Sequence, residues 1–85
     1  MARVIIYSTG TCPVCDKVKT LFVKWGVDYD ECRVDLEQSC LKNMLKITNH
    51  ARTVPQIVID EHWIGGFSEL TELHMDGELD SLINA

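Results

Sequence analysis

The chain opens on an unbroken apolar run. Residues Arg3–Tyr7 carry Val4, Ile5, Ile6 and Tyr7 in succession, and β-branched residues without polar interruption predict a short strand covered on both faces, hence central. Val14, Val18, Leu21, Phe22 and Trp25 then recur at helical intervals, with Lys17, Lys19 and Lys24 off that face and Gly26 as a stop. A helix is therefore predicted from Pro13 to about Trp25. Val27–Val34 is extended in type but alternates imperfectly, since Asp28, Asp30 and Glu31 fall among Tyr29, Cys32 and Val34. That pattern suits an edge strand or a bulge. Asp35 is placed to cap a second helix, with Gln38 three residues on as in a capping box and Leu41, Met44 and Leu45 on one face, ending near Asn49. Residues 55–59 read as a strand, Asp60-Glu61 as a turn, and His62-Trp63-Ile64 as the return strand leading to Gly65-Gly66. Ser68 is the expected cap of a helix carrying Leu70 and Leu73, Asp76-Gly77 breaks it, and Leu79, Leu82 and Ile83 predict a last helical turn or two.

This order predicts an α/β fold. Two parallel strands joined by a right-handed helical crossover, extended by an antiparallel hairpin, make a four-stranded mixed sheet flanked by three or four helices on both faces. Ligands on open α/β sheets gather beyond the carboxyl ends of the strands, which is where the loop carrying Cys12 falls.

Composition narrows the setting. Eighty-five residues, 46% of them hydrophobic, are expected to form a single small domain, residues 1–85, that buries about 60–65% of its unfolded surface. Thirteen acidic against eight basic residues leave a net charge of −5, which disfavours nucleic acid and anionic membranes as partners. Neither an opening apolar segment of signal-peptide form nor a run of about twenty apolar residues is present, so a cytoplasmic, reduced location is expected.

Against that background the four cysteines separate into two kinds. Cys12-Pro13-Val14-Cys15 follows the first strand and opens the first helix. A helix start offers unpaired backbone N–H groups and a partial positive charge, which stabilise an anion such as a thiolate. A free cysteine with a pKa near 8.5 is only about 3% ionised at pH 7, so a depression of three units, worth roughly 4 kcal/mol, would make the nucleophile almost fully available. Cys12 holds that position, Pro13 falls where its missing N–H costs nothing, and Cys15 lies one turn in and more covered. The order implies attack by Cys12 and resolution by Cys15. A zinc knuckle or a fixed staple would use the same residues, but zinc needs a second ligand pair, and Cys32 and Cys40 are too widely spaced to supply a knuckle. Those two are expected to be plain core or surface thiols, neither standing at a helix start beside a basic cluster. His50, His62 and His74 show no metal-ligand spacing and are assigned to the surface; Trp25 and Trp63 are assigned to core or rim packing. No metal site is expected.

Three separated segments resemble one family. Thr11-Cys12-Pro13-Val14-Cys15, Arg52-Thr53-Val54-Pro55 and Gly65-Gly66-Phe67-Ser68-Glu69-Leu70 are similar to the active-site, cis-proline and glycine-pair motifs of the glutaredoxins, at family spacing and over essentially the whole chain. The resemblance implies a thioredoxin fold and a dithiol enzyme reducing protein disulfides and glutathione mixed disulfides. Glutathione is then the reducing co-substrate, with no tightly bound cofactor. It implies a cis Val54-Pro55 bond, where a proline opening a strand is ordinarily trans. It further implies a glutathione site made of Thr11, Val14, Arg52, Thr53, Val54, Pro55, Gly66, Phe67, Ser68 and Glu69, with Ser68 and Glu69 receiving the γ-glutamyl end. Two positions depart from the family pattern: Thr9 stands where many members carry lysine, and Val14 where tyrosine is common. Asp16 competes with a thiolate for the positive potential of the first turn while Lys17 and Lys19 oppose it, leaving the sign of the net effect open.

The resemblance implies a monomer and makes a ribonucleotide reductase a plausible client. Two other functions remain open on the residues alone. One is a thioredoxin-like electron donor reduced by a flavoprotein reductase. The other is an iron–sulfur carrier ligated by glutathione, which Pro13 argues against.

Overall fold

The computed structural model describes residues 2–83. In chain order they form β1 (Val4–Ser8), α1 (Pro13–Lys24), β2 (Asp30–Arg33), α2 (Gln38–Ile47), β3 (Gln56–Ile59), β4 (His62–Gly65), α3 (Phe67–Met75) and α4 (Glu78–Ile83). The strands make one sheet in the order β2-β1-β3-β4. β1 pairs in parallel with β2 and antiparallel with β3, and β3 pairs antiparallel with β4. The mixed four-stranded sheet, the central first strand and the edge position of β2 are as expected from the sequence.

Alternation along β1 divides the interior in two. Val4 and Ile6 face α1, α3 and α4, where they pack with Val18, Phe22, Ile57, Ile59, Leu70, Leu79 and Ile83. Tyr7 faces the other way, with Val58 and Met44 of α2, and Ile5, Leu41 and Ile47 pack around them. Ile6, Val18, Phe22, Ile57 and Leu70 have no accessible surface. At about 1.5–3 kcal/mol for each large side chain fully removed from water, the first cluster is the main source of stability.

Helix α1 ends one residue before Trp25, and Gly26, at φ +69°, follows it. The Val27 N–H donates to the Phe22 carbonyl at 2.8 Å and the Gly26 N–H to that of Val23 at 3.1 Å. Those two bonds close a Schellman end and turn the chain toward β2. Trp25 stacks on His74 of α3, ring centroids 3.9 Å apart and planes 17° from parallel.

Three local expectations are corrected. Asp35 does not cap α2; Glu37 holds that position, because the Asp35 carboxylate is taken by Arg33 and the Gly10 N–H. Ser68 does not cap α3; Gly66 does, because Glu69, three residues on, reaches back to accept the Gly66 N–H at 2.7 Å. Cys32 and Cys40 are not free thiols. They are joined as a disulfide with Cα atoms 5.5 Å apart, tying β2 to the first turn of α2.

The β3–β4 hairpin turns on Asp60 and Glu61, both left-handed at φ +50° and +66°. Asp60 is held there by two bonds to Arg3: its N–H donates to the Arg3 carbonyl at 2.9 Å, and its carboxylate accepts the Arg3 N–H at 2.9 Å. Glu61 has no such support, and a left-handed residue with a Cβ costs roughly 1–2 kcal/mol. Glu61→Gly removes that cost and supplies the residue that two-residue hairpins prefer. We expect it to raise the melting temperature by about 4–8 °C, as checked by thermal unfolding.

Candidate active site

Three connections meet at the carboxyl end of β1: the loop from β1 to α1, the segment before β3, and the turn from β4 into α3. The first carries Cys12 at the N-cap of α1 with Pro13 at the first helical position. Cys12 and Cys15 are disulfide-linked, Cα atoms 5.2 Å apart. The Cys15 backbone N–H donates to Cys12 Sγ at 3.1 Å, so the sulfur occupies the acceptor position that a capping oxygen fills at other helix starts. Cys12 is half-buried and Cys15 has no exposed surface. One sulfur is reachable from the surface and the other is shielded.

The second connection contributes Val54 and Pro55. Their peptide bond is cis, and the Val54 carbonyl oxygen lies 3.9 Å from Cys12 Sγ. The third brings Gly65, at φ +121°, and Gly66 against this turn. A Cβ on Gly66 would stand 3.2 Å from the Pro55 carbonyl oxygen, and one on Gly65 would collide with the Glu69 side chain at 2.7 Å. The glycine pair thus permits both the close approach of α3 to Pro55 and the Glu69 cap.

Between these segments runs a groove of about 560 Å³, lined by Val14 from α1, Thr53, Val54 and Pro55, and Gly66 to Glu69. Of the residues assigned to a glutathione site, it collects Val14, Thr53, Val54, Pro55, Gly66, Phe67, Ser68 and Glu69. Thr11 and Arg52 are exposed and outside its walls. Arg52 forms no ion pair among the described residues. A larger cavity of about 740 Å³ is lined by Arg3, Ile5, Lys46, Val58 and Glu61 at the opposite end of the strands. No cysteine lines either cavity, but the groove is walled by Val54, whose carbonyl lies 3.9 Å from Cys12 Sγ.

Gln56 and Trp63 also line the groove, with Ala51 and Gly65, and were not assigned to the site. Gln56, 6% exposed within an otherwise apolar strand, donates from Nε2 to the Thr53 carbonyl at 3.0 Å and to Thr53 Oγ1 at 3.1 Å. Its Oε1 accepts the Trp63 indole N–H at 2.8 Å. A polar residue opening an apolar strand was the available signal, since a buried amide must find partners.

Charges on β2 and its following turn hold the nucleophile's loop from behind. Glu31 accepts from Ser8 Oγ at 2.6 Å and from Lys19 Nζ at 2.9 Å. Asp35 takes a bidentate pair of bonds from Arg33, both 2.8 Å, and one from the Gly10 N–H at 3.1 Å. The Lys19 and Ser8 bonds lower the Glu31 pKa below its ordinary 4.5. The Arg33 guanidinium, assisted by Gly10, holds Asp35 well below the usual carboxylate range. Asp16, whose sign of influence was open, turns its carboxylate 3.4 Å from Lys19. The cation offsets it.

No helix among the described residues is long and apolar enough to cross a membrane, and no group of three or more His, Cys, Asp or Glu among those residues could hold a metal. A cysteine disulfide at the first helix of this mixed sheet, with the Val54 carbonyl that precedes a cis-proline beside it, defines a thiol–disulfide oxidoreductase of the thioredoxin fold. Residues 4–64 match the family model described as Glutaredoxin. Glutaredoxin 3 of Escherichia coli strain K12 is 40% identical over 83 residues, spanning 98% of this chain and 99% of the relative. Glutaredoxin 1 of Rickettsia prowazekii is 40% identical over 81 residues, spanning 94% and 85%. Among solved structures, the buckwheat glutaredoxin–glutathione complex superposes with a TM-score of 0.83 at 31% identity, covering 95% of this chain and 76% of that one. The chain belongs to the glutaredoxin family.

Two outcomes follow from this geometry. In the reduced protein the Cys15 N–H and the helix start favour the Cys12 thiolate, so its alkylation rate should be half-maximal at a pH well below the value of about 8.5 for a free cysteine. Glu31 and Asp35 both titrate lower in the fold than in an unfolded chain. Their contribution to stability is therefore complete above their ordinary pKa values and is lost as pH falls through the depressed ones. Denaturation midpoints of wild type should drop between roughly pH 5 and pH 2, with a flatter profile in Glu31→Gln/Asp35→Asn.

Proposed function

We propose that this glutaredoxin reduces protein disulfides and glutathione mixed disulfides, with glutathione as the reductant. The observation that carries the reading is the half-buried Cys12 sulfur, held by the Cys15 N–H at 3.1 Å beside the groove of about 560 Å³.

The Cys12 thiolate attacks one sulfur of a substrate disulfide; a Cys12–substrate bond forms and the other substrate sulfur leaves as a thiolate, which takes up a proton. Cys15, already within bonding reach, then attacks Cys12 Sγ. The Cys12–Cys15 disulfide forms and the second substrate thiol leaves, so the substrate gains the two electrons the dithiol loses. One glutathione thiolate attacks Cys12 and releases Cys15; a second attacks the resulting mixed disulfide, restoring the dithiol and leaving as oxidised glutathione. With a glutathionylated substrate, Cys12 and one further glutathione suffice.

Several features support glutathione as the ligand of the groove. It runs along Thr53–Pro55, whose Val54 carbonyl lies 3.9 Å from Cys12 Sγ, to the start of α3, where the exposed Ser68 stands at a helix N-terminus that favours a carboxylate. The Val54 backbone beside the sulfur suits pairing with an extended peptide. Arg52, exposed at the entrance to this segment, supplies a cation where Thr9 does not. Thr11 flanks the nucleophile. The buckwheat relative of the same fold carries glutathione in its structure. Ribonucleotide reductase is one client whose disulfide this chemistry would reduce, by a monomeric, cytoplasmic donor.

Cys15→Ser should retain turnover of a glutathionylated peptide and lose reduction of a protein disulfide, whereas Cys12→Ser should lose both; turnover surviving in Cys12→Ser would reject the assigned roles. Run with glutathione and glutathione reductase in one arm and thioredoxin reductase in the other, the wild-type assay should be active in the first. Activity confined to the second would make the protein a thioredoxin-like donor instead.

A further inference from the structure

The cysteine pair that the reaction does not use lies behind the loop that the reaction depends on. Cys32 sits on β2 between Glu31 and Arg33, and Cys40 in the first turn of α2. Their disulfide closes a nine-residue ring, counting both ends, from Cys32 to Cys40. That ring contains Arg33 and Asp35, and Asp35 accepts the backbone N–H of Gly10. Gly10 is two residues ahead of Cys12. It is also packed so closely on the Arg33 guanidinium that a Cβ there would overlap it. A second tether runs from the same strand: the Val34 N–H donates to the Ser8 carbonyl at 3.0 Å.

We propose that Cys32 and Cys40 form a second redox site, exchanging with small thiols of the glutathione class, whose closed form fixes the Arg33–Asp35 turn and thereby the loop that presents Cys12. Cys32 is half-buried and Cys40 is 5% exposed, so the incoming thiolate attacks Cys32. A mixed disulfide forms on Cys32 and the Cys40 sulfur leaves as a thiolate from a helix N-terminal turn, then takes a proton. A second small thiol attacks that mixed disulfide, Cys32 is released as a thiol, and the two small thiols depart joined as a disulfide. Two electrons enter the protein and two leave the small thiols. Opening the ring frees the turn on which Asp35 sits, the Gly10 tether loses its rigid anchor, and the Cys15 N–H···Sγ geometry at Cys12 is held for less of the time. Asp35 acts here as a positioning residue, through Gly10.

The site is tested on the full chain equilibrated in buffers of graded reduced-to-oxidised glutathione ratio, trapped by alkylation and mapped by peptide mass. Two separate two-electron transitions are expected, one for each cysteine pair. A Cys32–Cys40 disulfide that never forms at any ratio, or that never opens in excess reduced glutathione, overturns the proposal. The coupling is tested on Cys32→Ser/Cys40→Ser, by the pH profile of Cys12 alkylation and by turnover of a small disulfide. Loss of a tether of one hydrogen bond predicts a shift of the profile to higher pH and a rate loss of about 3–10-fold. Asp35→Asn should reproduce that shift alone and add nothing in the double-serine background. Profiles identical to wild type with the ring closed, or fully additive effects, overturn the coupling. Should the double-serine chain fail to fold, the wild-type chain with Cys12 and Cys15 reduced, compared with the Cys32–Cys40 bond closed and open, supplies the same comparison.

Discussion

The hydrogen bond from the Cys15 amide to the Cys12 sulfur joins the fold to the chemistry. It exists only because Cys12 is the N-cap of α1, in extended backbone at φ −111° and ψ 101°, with the helix amides behind it unpaired. Proline next to it removes one of those unpaired amides outright. The three-residue spacing places the Cys15 N–H within reach of the sulfur and Cys15 Sγ within bonding reach of it as well. One backbone geometry therefore serves both the anion and its resolution.

Strand order decides what else stands near that sulfur. With β1 central, its loop is flanked on one side by the turn that follows β2 and on the other by the segment preceding β3. The first side is charged: Glu31, Arg33 and Asp35 bind Ser8, Lys19 and Gly10. The second is mostly neutral and partly apolar, formed by Val54, Pro55 and the glycine pair. Cys12 thus sits between a polar support that holds its loop and a groove walled by Val54 and Pro55. Gln56 links that groove to β4 by holding Thr53 and Trp63 together.

Most elements were legible because each rests on a local pattern: the apolar run of β1, the helical recurrence from Val14 to Phe22, the two short strand segments on either side of the Asp60-Glu61 turn. The capping assignments were less so. Asp35 and Ser68 have the side chains that caps prefer, but Asp35 is drawn to Arg33, and Glu69 moves the start of α3 back to Gly66. Each outcome depends on a competing partner that no propensity records. Cys32 and Cys40 looked inert because sequence spacing says nothing about an edge strand and a helix turning back beside it.

The sequence by itself determined the Cys12–Cys15 pair and the helix start that carries it, since both depend on contacts within four residues. It also determined which segments would be strands and which helices, through side-chain period. Only the tertiary structure decided that residues 10 and 35 would meet, that Thr53 and Trp63 would share one amide, and that Cys32 and Cys40 would bond. Those contacts join separate elements, and their geometry is set by sheet order and the packing of helices on its two faces rather than by any local preference.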